Sequence, residues 1–290
     1  MAKVADCSVV IATRNRRDDL RATLGELRRL DPAPAEIVVC MDACDDGSER
    51  MVAGEFPAVR LLVNDSPLGS VGSRDRLLRE ARSQFALSLD DDSHPCDDDF
   101  LDYALAQFAD WRRLAVAYFP QRSEEFPESL DRADFGRSEF IASYASSGAV
   151  LRRATYLGLP GFPRLFFHAY EEPDYALQCL AAGWQVRKCG GRAIRHHYSA
   201  TGRDEIRTHH RHARNELLSV LLRCPLPQAP AVAGFRLLRQ FGYAGSRGPR
   251  WLAREPAWWL DFLRLAAAAL RQRRAVSWRA YRGWLRLLRA

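Results

Sequence analysis

The stretch FALSLDDDSHPCDDDF, residues 85–100, begins as a short apolar run, Phe85 to Leu89, and breaks off into three successive carboxylates, Asp90, Asp91 and Asp92. A run of that length and composition, bounded by polar residues, predicts a buried strand. Adjacent carboxylates at its end repel one another and resist desolvation unless a cation sits among them. The stretch therefore predicts a cation-binding strand end. A solvated acidic loop after an edge strand is the alternative that three acidic residues alone leave open.

The neighbouring segments favour the first reading. SVVIA, residues 8–12, is a continuous, largely β-branched run followed by the polar turn TRNRR, after which Leu20, Leu24, Leu27 and Leu30 recur at helical spacing behind Asp18 and Asp19. EIVVCM, residues 36–41, reads as a second strand ending at Asp42, a helical segment follows near 49–54, and Val59 to Val63 reads as a third strand. A Gly-bearing loop, NDSPLGSVG, and a helix from Ser73 to Ser83 lead into the stretch at 85. Strands that are apolar throughout, alternating with helices, predict an α/β fold with a mostly parallel sheet covered by helices on both faces. In such sheets ligands gather at the carboxyl ends of strands. Thr13 to Asn15, Asp42, and Asp90 to Asp92 all stand at such ends.

On the C-terminal side, a helix is expected over 98–111 and a strand over 115–119, followed by a long polar and aromatic excursion over 120–144. A strand-like pattern returns at 146–151. The segment LPGFPRLFFHAYEEPDYALQCLAAGW then sets aromatic residues against Glu171, Glu172 and Asp174 and continues as a helix closed by Gly183. Short strands at 185–189 and 192–195 run into His196 and His197.

Composition narrows the class. The 290 residues are 47% hydrophobic and 27% charged, ordinary values for a soluble globular chain. The opening residues do not resemble a secretory signal and no stretch is long and apolar enough to span a bilayer, so a cytoplasmic protein is expected. Seven isolated cysteines without a CxxC pair argue against a disulfide framework or a structural zinc site. The net charge of +7 is concentrated at the end: residues 231–290 carry 13 Arg against Glu255 and Asp261, so the remainder is net acidic. That acidic remainder and the lack of a recognisable module argue against nucleic-acid binding.

Seven segments, SVVIATRNR, EIVVCMDACDDGS, PLGSVGSRD, LSLDDDS, SSGAVLRR, GFPRLFFHAYEEPDYALQCLAAGW and IRHHYS, together resemble the family 2 inverting nucleotide-sugar glycosyltransferases of the GT-A fold, in the family's order over about residues 6–200. The resemblance implies a Rossmann-like GT-A catalytic domain over 1–224, with a nucleotide-sugar half to about 95 and an acceptor half from 96. It implies that Asp42 helps read the nucleotide base, with Thr13, Arg14 and Asn15 in the same pocket. Arg74 would approach the nucleotide, although Asp75 replaces the Asn usual beside it. Asp90 and Asp92 match the ends of the DxD element: Asp92 is the implied ligand of Mn²⁺ or Mg²⁺, Asp90 turns towards the ribose, and Asp91 supports them. His196, or adjacent His197, would add a ligand or a diphosphate contact. Where the family places Glu-Asp, this chain has Glu171, Glu172, Pro173 and Asp174; by position Glu172 is the base, with Asp174 the alternative. The reaction implied is inverting transfer from a nucleotide-diphosphate sugar to a glycan or lipid-linked acceptor, as in bacterial surface-glycan assembly. A non-catalytic nucleotide-sugar or phosphate-binding protein on the same fold and a nucleotidyltransferase-like enzyme are the competing readings; TRNRR lacks the glycines that the latter would carry.

Beyond residue 200 a helix is expected over 204–223 and a hinge at Pro225 to Pro230. The basic 225–290 region reads as helical, with Trp251, Trp258, Trp259, Trp278 and Trp284 among Leu and Arg. Such a region suits a membrane surface, placing the protein peripherally on the inner face of the membrane, or else packs on the catalytic domain or a second subunit.

Overall fold

SVVIA has no polar break, so both faces of its strand can be buried, and the computed structural model, which describes residues 3–132, 135–197 and 204–288, places it at the centre of an eight-stranded sheet. In chain order the first half runs β1 (Val4–Thr13), α1 (Arg17–Glu26), β2 (Ala33–Asp42), α2 (Ser48–Glu55), β3 (Arg60–Asn64), α3 (Gly69–Glu80), β4 (Phe85–Asp90), β5 (Ser93–Pro95), α4 (Phe100–Asp110) and β6 (Leu114–Tyr118). It continues through β7 (Gln121–Ser123), β8 (Glu139–Phe140), β9 (Ala149–Arg152), α5 (Arg153–Gly158), α6 (Glu171–Ala181), β10 (Gln185–Lys188) and β11 (Ile194–His196). Five helices close the chain: α7 (Glu205–Arg223), α8 (Ala229–Arg247), α9 (Pro249–Leu252), α10 (Glu255–Arg271) and α11 (Trp278–Leu287).

The large sheet has the order β3-β2-β1-β4-β9-β6-β10-β8. β3, β2, β1 and β4 are mutually parallel, as are β6 and β10, while β9 lies antiparallel between the two blocks. Successive side chains of a strand point to opposite faces. Val9, Ile11, Val39 and Leu87 therefore pack with Leu20 of α1, Val52 of α2 and Phe100 of α4, and Val10, Val38 and Ala86 pack with Leu77 of α3, Tyr156 of α5 and Leu218 of α7. The expected α/β sheet with helices on both faces is borne out, because apolar parallel strands need cover on both sides.

Two short elements in the sequence gave no periodic signal. β5 and β7, three residues each, flank β11 in a separate small sheet. β5 follows the aspartates directly, and its register sets Ser93 opposite His196. That pairing returns the chain from residue 196 to the end of β4. The excursion over 120–144 thus contains strands at both ends, and Tyr198 and Ser199, the last residues of the IRHHYS segment, lie outside the described residues.

The C-terminal helices share their cores with the rest. Trp258 of α10 packs on Ala213 and Leu217 of α7, and Tyr281 and Trp284 of α11 pack with Leu177 of α6 and Ala142. The Trp284 indole donates 2.8 Å to the Ala142 carbonyl and the Trp258 indole 2.8 Å to Glu255. Both rings are fully buried, so these two tryptophans follow the packing alternative.

Candidate active site

β1, β2 and β4 end side by side, and a cleft of about 650 Å³ opens over their carboxyl ends. Thr13 is buried and its hydroxyl donates 2.7 Å to Asp91 Oδ2. Burial pushes the Asp91 carboxyl up to about 7, against the lowering effect of Arg16 and Thr13. Arg16 extends one guanidinium nitrogen to Asp91 (3.2 Å) and the other to Asp92 (2.8 Å). At Asp92 burial acts upward, but His196 and Arg16 together outweigh it and hold the carboxyl below the usual range. Arg14 is exposed on the cleft wall; Asn15, at φ 55°, turns its side-chain oxygen to the Asp45 N–H (2.9 Å).

Asp42 organises a loop. Its Oδ1 accepts from Asn64 (2.8 Å), the Leu68 N–H (2.8 Å) and Ser73 (3.0 Å), and its Oδ2 from the Gly69 N–H (2.9 Å). Each carboxylate oxygen offers about two acceptor positions and Oδ2 uses one of them here, so one position of Oδ2 is left for a ligand. The negative charge also sits at the N-terminus of α3, where the helix dipole favours it.

Arg74 joins the two sides of the site. One of its terminal nitrogens pairs with Asp90 and the other lies 3.1 Å from Glu171 Oε1, although the partners come from β4 and α6. Burial, with Glu172 adjacent, pushes the Glu171 carboxyl up to about 8 despite Arg74. Burying a guanidinium such as that of Arg74 costs several kcal/mol of desolvation, so stability alone does not explain it. Asp75, beside Arg74, turns away from the cleft to Tyr156 (2.8 Å), Arg79 (2.9 Å) and Arg164 (2.7 Å).

The approach to α6 is strained. Phe167, Ala169 and Tyr170 all have positive φ, at 63°, 71° and 71°. Asn215 of α7 holds this turn by donating to the carbonyls of Phe166 (3.1 Å), His168 (2.8 Å) and Ala169 (2.8 Å). Glu172 is half-buried, with Oε1 accepting from the Ser146 N–H at 3.1 Å. Asp174, the alternative base, is not brought to the others. It is fully buried and bonded to Arg223 (2.9 Å), Ser219 (2.7 Å) and Gln178 (2.7 Å), because one turn along α6 faces α7.

His196 reaches the aspartates, its Nε2 lying 3.1 Å from Asp92 Oδ1 and 3.9 Å from Asp90 Oδ2. Gln121 fixes the ring: its amide nitrogen donates to the Ser147 carbonyl (2.8 Å), so its oxygen, 3.1 Å from Nδ1, accepts from Nδ1–H and turns Nε2 to the carboxylates, the nitrogen that a neutral ring would offer to a metal. His197 bonds the Asp92 carbonyl through its backbone N–H (2.9 Å), while its ring meets His94 (3.2 Å). Of the two histidines, His196 faces the carboxylates. Ligand atoms of Asp90, Asp92 and His196 lie within 4.8 Å of one another, and buried Asp92 Oδ1 has no well-formed hydrogen bond. Two carboxylates, an oriented imidazole and an under-satisfied oxygen fit a divalent cation. Asp90, expected towards the ribose, thus belongs equally to the ligand cluster. Arg16, Gln121 and Asn215 were missed. TRNRR offers several arginines without saying which turns inward, and the other two lie on elements with no distinguishing pattern.

A mostly parallel sheet thus ends in a carboxylate-lined cleft, with the acidic start of α6 clamped opposite by Arg74, and the solved structures of similar fold are GT-A glycosyltransferases. The family model described as Glycosyl transferase family 2 matches residues 8–155, and the chain belongs to that family. No curated protein matches the sequence. Among solved structures, the mannosyltransferase PcManGT from Pyrobaculum calidifontis, in complex with GDP-Man and Mn²⁺, is 17% identical with a TM-score of 0.59, covering 98% of this chain and 89% of its own. S. aureus TarS 1-349 is 16% identical with a TM-score of 0.61, covering 91% and 80%. GalNAc-T7 with UDP, GalNAc and Mn²⁺ is 14% identical with a TM-score of 0.62 over 75% of this chain, which spans only 48% of that one.

Proposed function

We propose that the protein transfers a sugar, with inversion, from a nucleoside diphosphate to a hydroxyl of a glycan or lipid-linked acceptor. The observation that carries this is the convergence of Asp90, Asp92 and His196 in a cleft where Arg74 links them to the acidic start of α6. Asp90, Asp92 and His196 would hold the metal, which when bound supplies positive charge against the charge building on a departing diphosphate. The imidazole in the set favours Mn²⁺ over Mg²⁺, which takes oxygen ligands. Mn²⁺ and nucleotide sugars in complexes of similar fold support this reading.

Thr13, Arg14 and Asp42 line the nucleotide end, Asn15 beside them holds the Asp45 loop, and Asp91, bonded to Thr13 and Arg16, props the two ligand aspartates. Glu172 takes the acceptor proton. It is the head-of-helix carboxylate not committed to an arginine, since Glu171 is held by Arg74 and Asp174 by Arg223. The catalytic unit spans residues 1–224, and the basic C-terminal region holds it at the inner face of a membrane.

The test is a panel of UDP-, GDP- and dTDP-sugars scored by thermal shift with and without Mn²⁺. One donor class should stabilise the wild type only with the metal, and Asp92→Ala should abolish the effect. Indifference of the wild type to every donor sinks the proposal. For the base, Glu172→Gln should lower kcat by at least about a hundredfold while leaving the donor shift intact.

A further inference from the structure

A second cavity, of about 700 Å³, lies on the other side of α7 from the cleft. Asp204, Arg207 and Arg211 line the cleft, Glu205, His209 and His212 line the second cavity, and Thr208 lines both. The N-terminal turns of α7 therefore form a common wall. On this wall the His212 ring lies 5.0 Å from buried Tyr170, the residue before Glu171.

Its far wall comes from α8 and α9. Tyr243 and Trp251 meet edge-on at 5.9 Å and 81°, and the His209 ring lies 5.6 Å from Trp251. Around this aromatic corner stand Glu125, Glu205, Thr208 and Arg247, which mix donors and acceptors. Among the described lining residues Glu125 and Glu205 stand against Arg239 and Arg247; Arg247 pairs with Glu205, and Arg239 shares Glu216 of α7 with buried Arg236. A phosphate or carboxylate ligand would need surplus cations, and among the described lining residues each arginine already has its carboxylate. Aromatic faces flanked by balanced polar groups suit a ring with apolar C–H faces and hydroxyl edges.

The geometry points to this cavity as the subsite for an uncharged saccharide unit of the acceptor; the assignment rests on the glycosyltransferase reading of the cleft. The saccharide lies against Trp251 and Tyr243, and the chain it belongs to passes the Thr208 turn towards α6. Sugars remote from the reacting hydroxyl thereby contribute to acceptor choice.

Saturation-transfer NMR with free mono- and disaccharides of glucose, galactose, mannose, rhamnose and the N-acetylhexosamines tests this on the full chain. At least one should bind the wild type, bind Asp92→Ala equally well, and bind Trp251→Ala at least about tenfold more weakly. Tyr243→Ala, at a half-exposed position, is the second variant and should weaken binding without loss of fold. The proposal is overturned if no saccharide binds, if binding survives both aromatic substitutions, or if inorganic phosphate displaces the sugar. The donor thermal shift separates the two readings. Donor binding without any saccharide signal removes the subsite alone, whereas a Trp251-dependent saccharide signal without a donor shift removes the transferase reading and with it the word acceptor.

Discussion

Gln121 never meets a substrate in the proposed reaction, yet it decides which nitrogen His196 offers to the cleft. Partners of this kind tune metal affinity by about 10–100-fold. Gln121→Leu is therefore expected to weaken Mn²⁺ binding by that factor, read by electron paramagnetic resonance of the free ion, with the folded state retained. Glu171 gives a second expectation, whose sign follows from its raised carboxyl. A proton held more tightly in the folded than in the unfolded chain adds stability at low pH that is lost as pH rises through the folded value, here from the model-compound 4.5 to about 8. Urea midpoints of the metal-free protein should fall across that window, and Glu171→Gln should flatten the decline. At this scale the sequence was informative about which carboxylates gather, since Asp90, Asp92 and His196 do meet. It was silent on orientation: Asp174 carries the same charge as Glu172, three-dimensional packing alone turns it to Arg223, and Asp42 spends most of its acceptor positions on its own loop.

Among the elements, α3 depends on one close approach. Gly69 has φ 73°, and a Cβ there would lie 2.0 Å from the Phe167 carbonyl oxygen, which also accepts the Val71 N–H at 3.2 Å. Gly69→Ala should cost about 2–4 kcal/mol from overpacking and backbone strain, measurable as a lower urea midpoint, and should also loosen Arg74 and weaken donor binding. The loop NDSPLGSVG announced a glycine-dependent turn but not its partner, which lies near residue 167. The long apolar strands β1, β2 and β4 were legible because both faces are buried. β5 and β7 were not, since three residues are too few to show a period of two.

For the whole molecule, the tail presents both buried and exposed apolar side chains. Trp258 and Trp284 are interior, whereas Phe235, Leu238 and Phe241 of α8 are 59%, 71% and 45% exposed and recur every third residue along one stripe. No described helix is long and apolar enough to cross a membrane. Wild type should co-sediment with phosphatidylglycerol vesicles, and the double variant Phe235→Ser, Leu238→Ser should partition at least about tenfold less with unchanged stability. Retention of both in the supernatant removes the membrane assignment. The sequence indicated the composition of this region; which tryptophans turn inward depended on α6 and α7, far away in the chain. The indole bond from Trp284 to the Ala142 carbonyl spans 142 residues. During synthesis, at about 5–20 residues per second, the helix bearing Glu171 and Glu172 waits on the order of ten seconds for α11 to emerge and seat beneath it. Until then Leu177 and Val220 lack the cover of Tyr281 and Trp284, so the apolar back of the helix that carries Glu171 and Glu172 stays open to solvent until α11 is made.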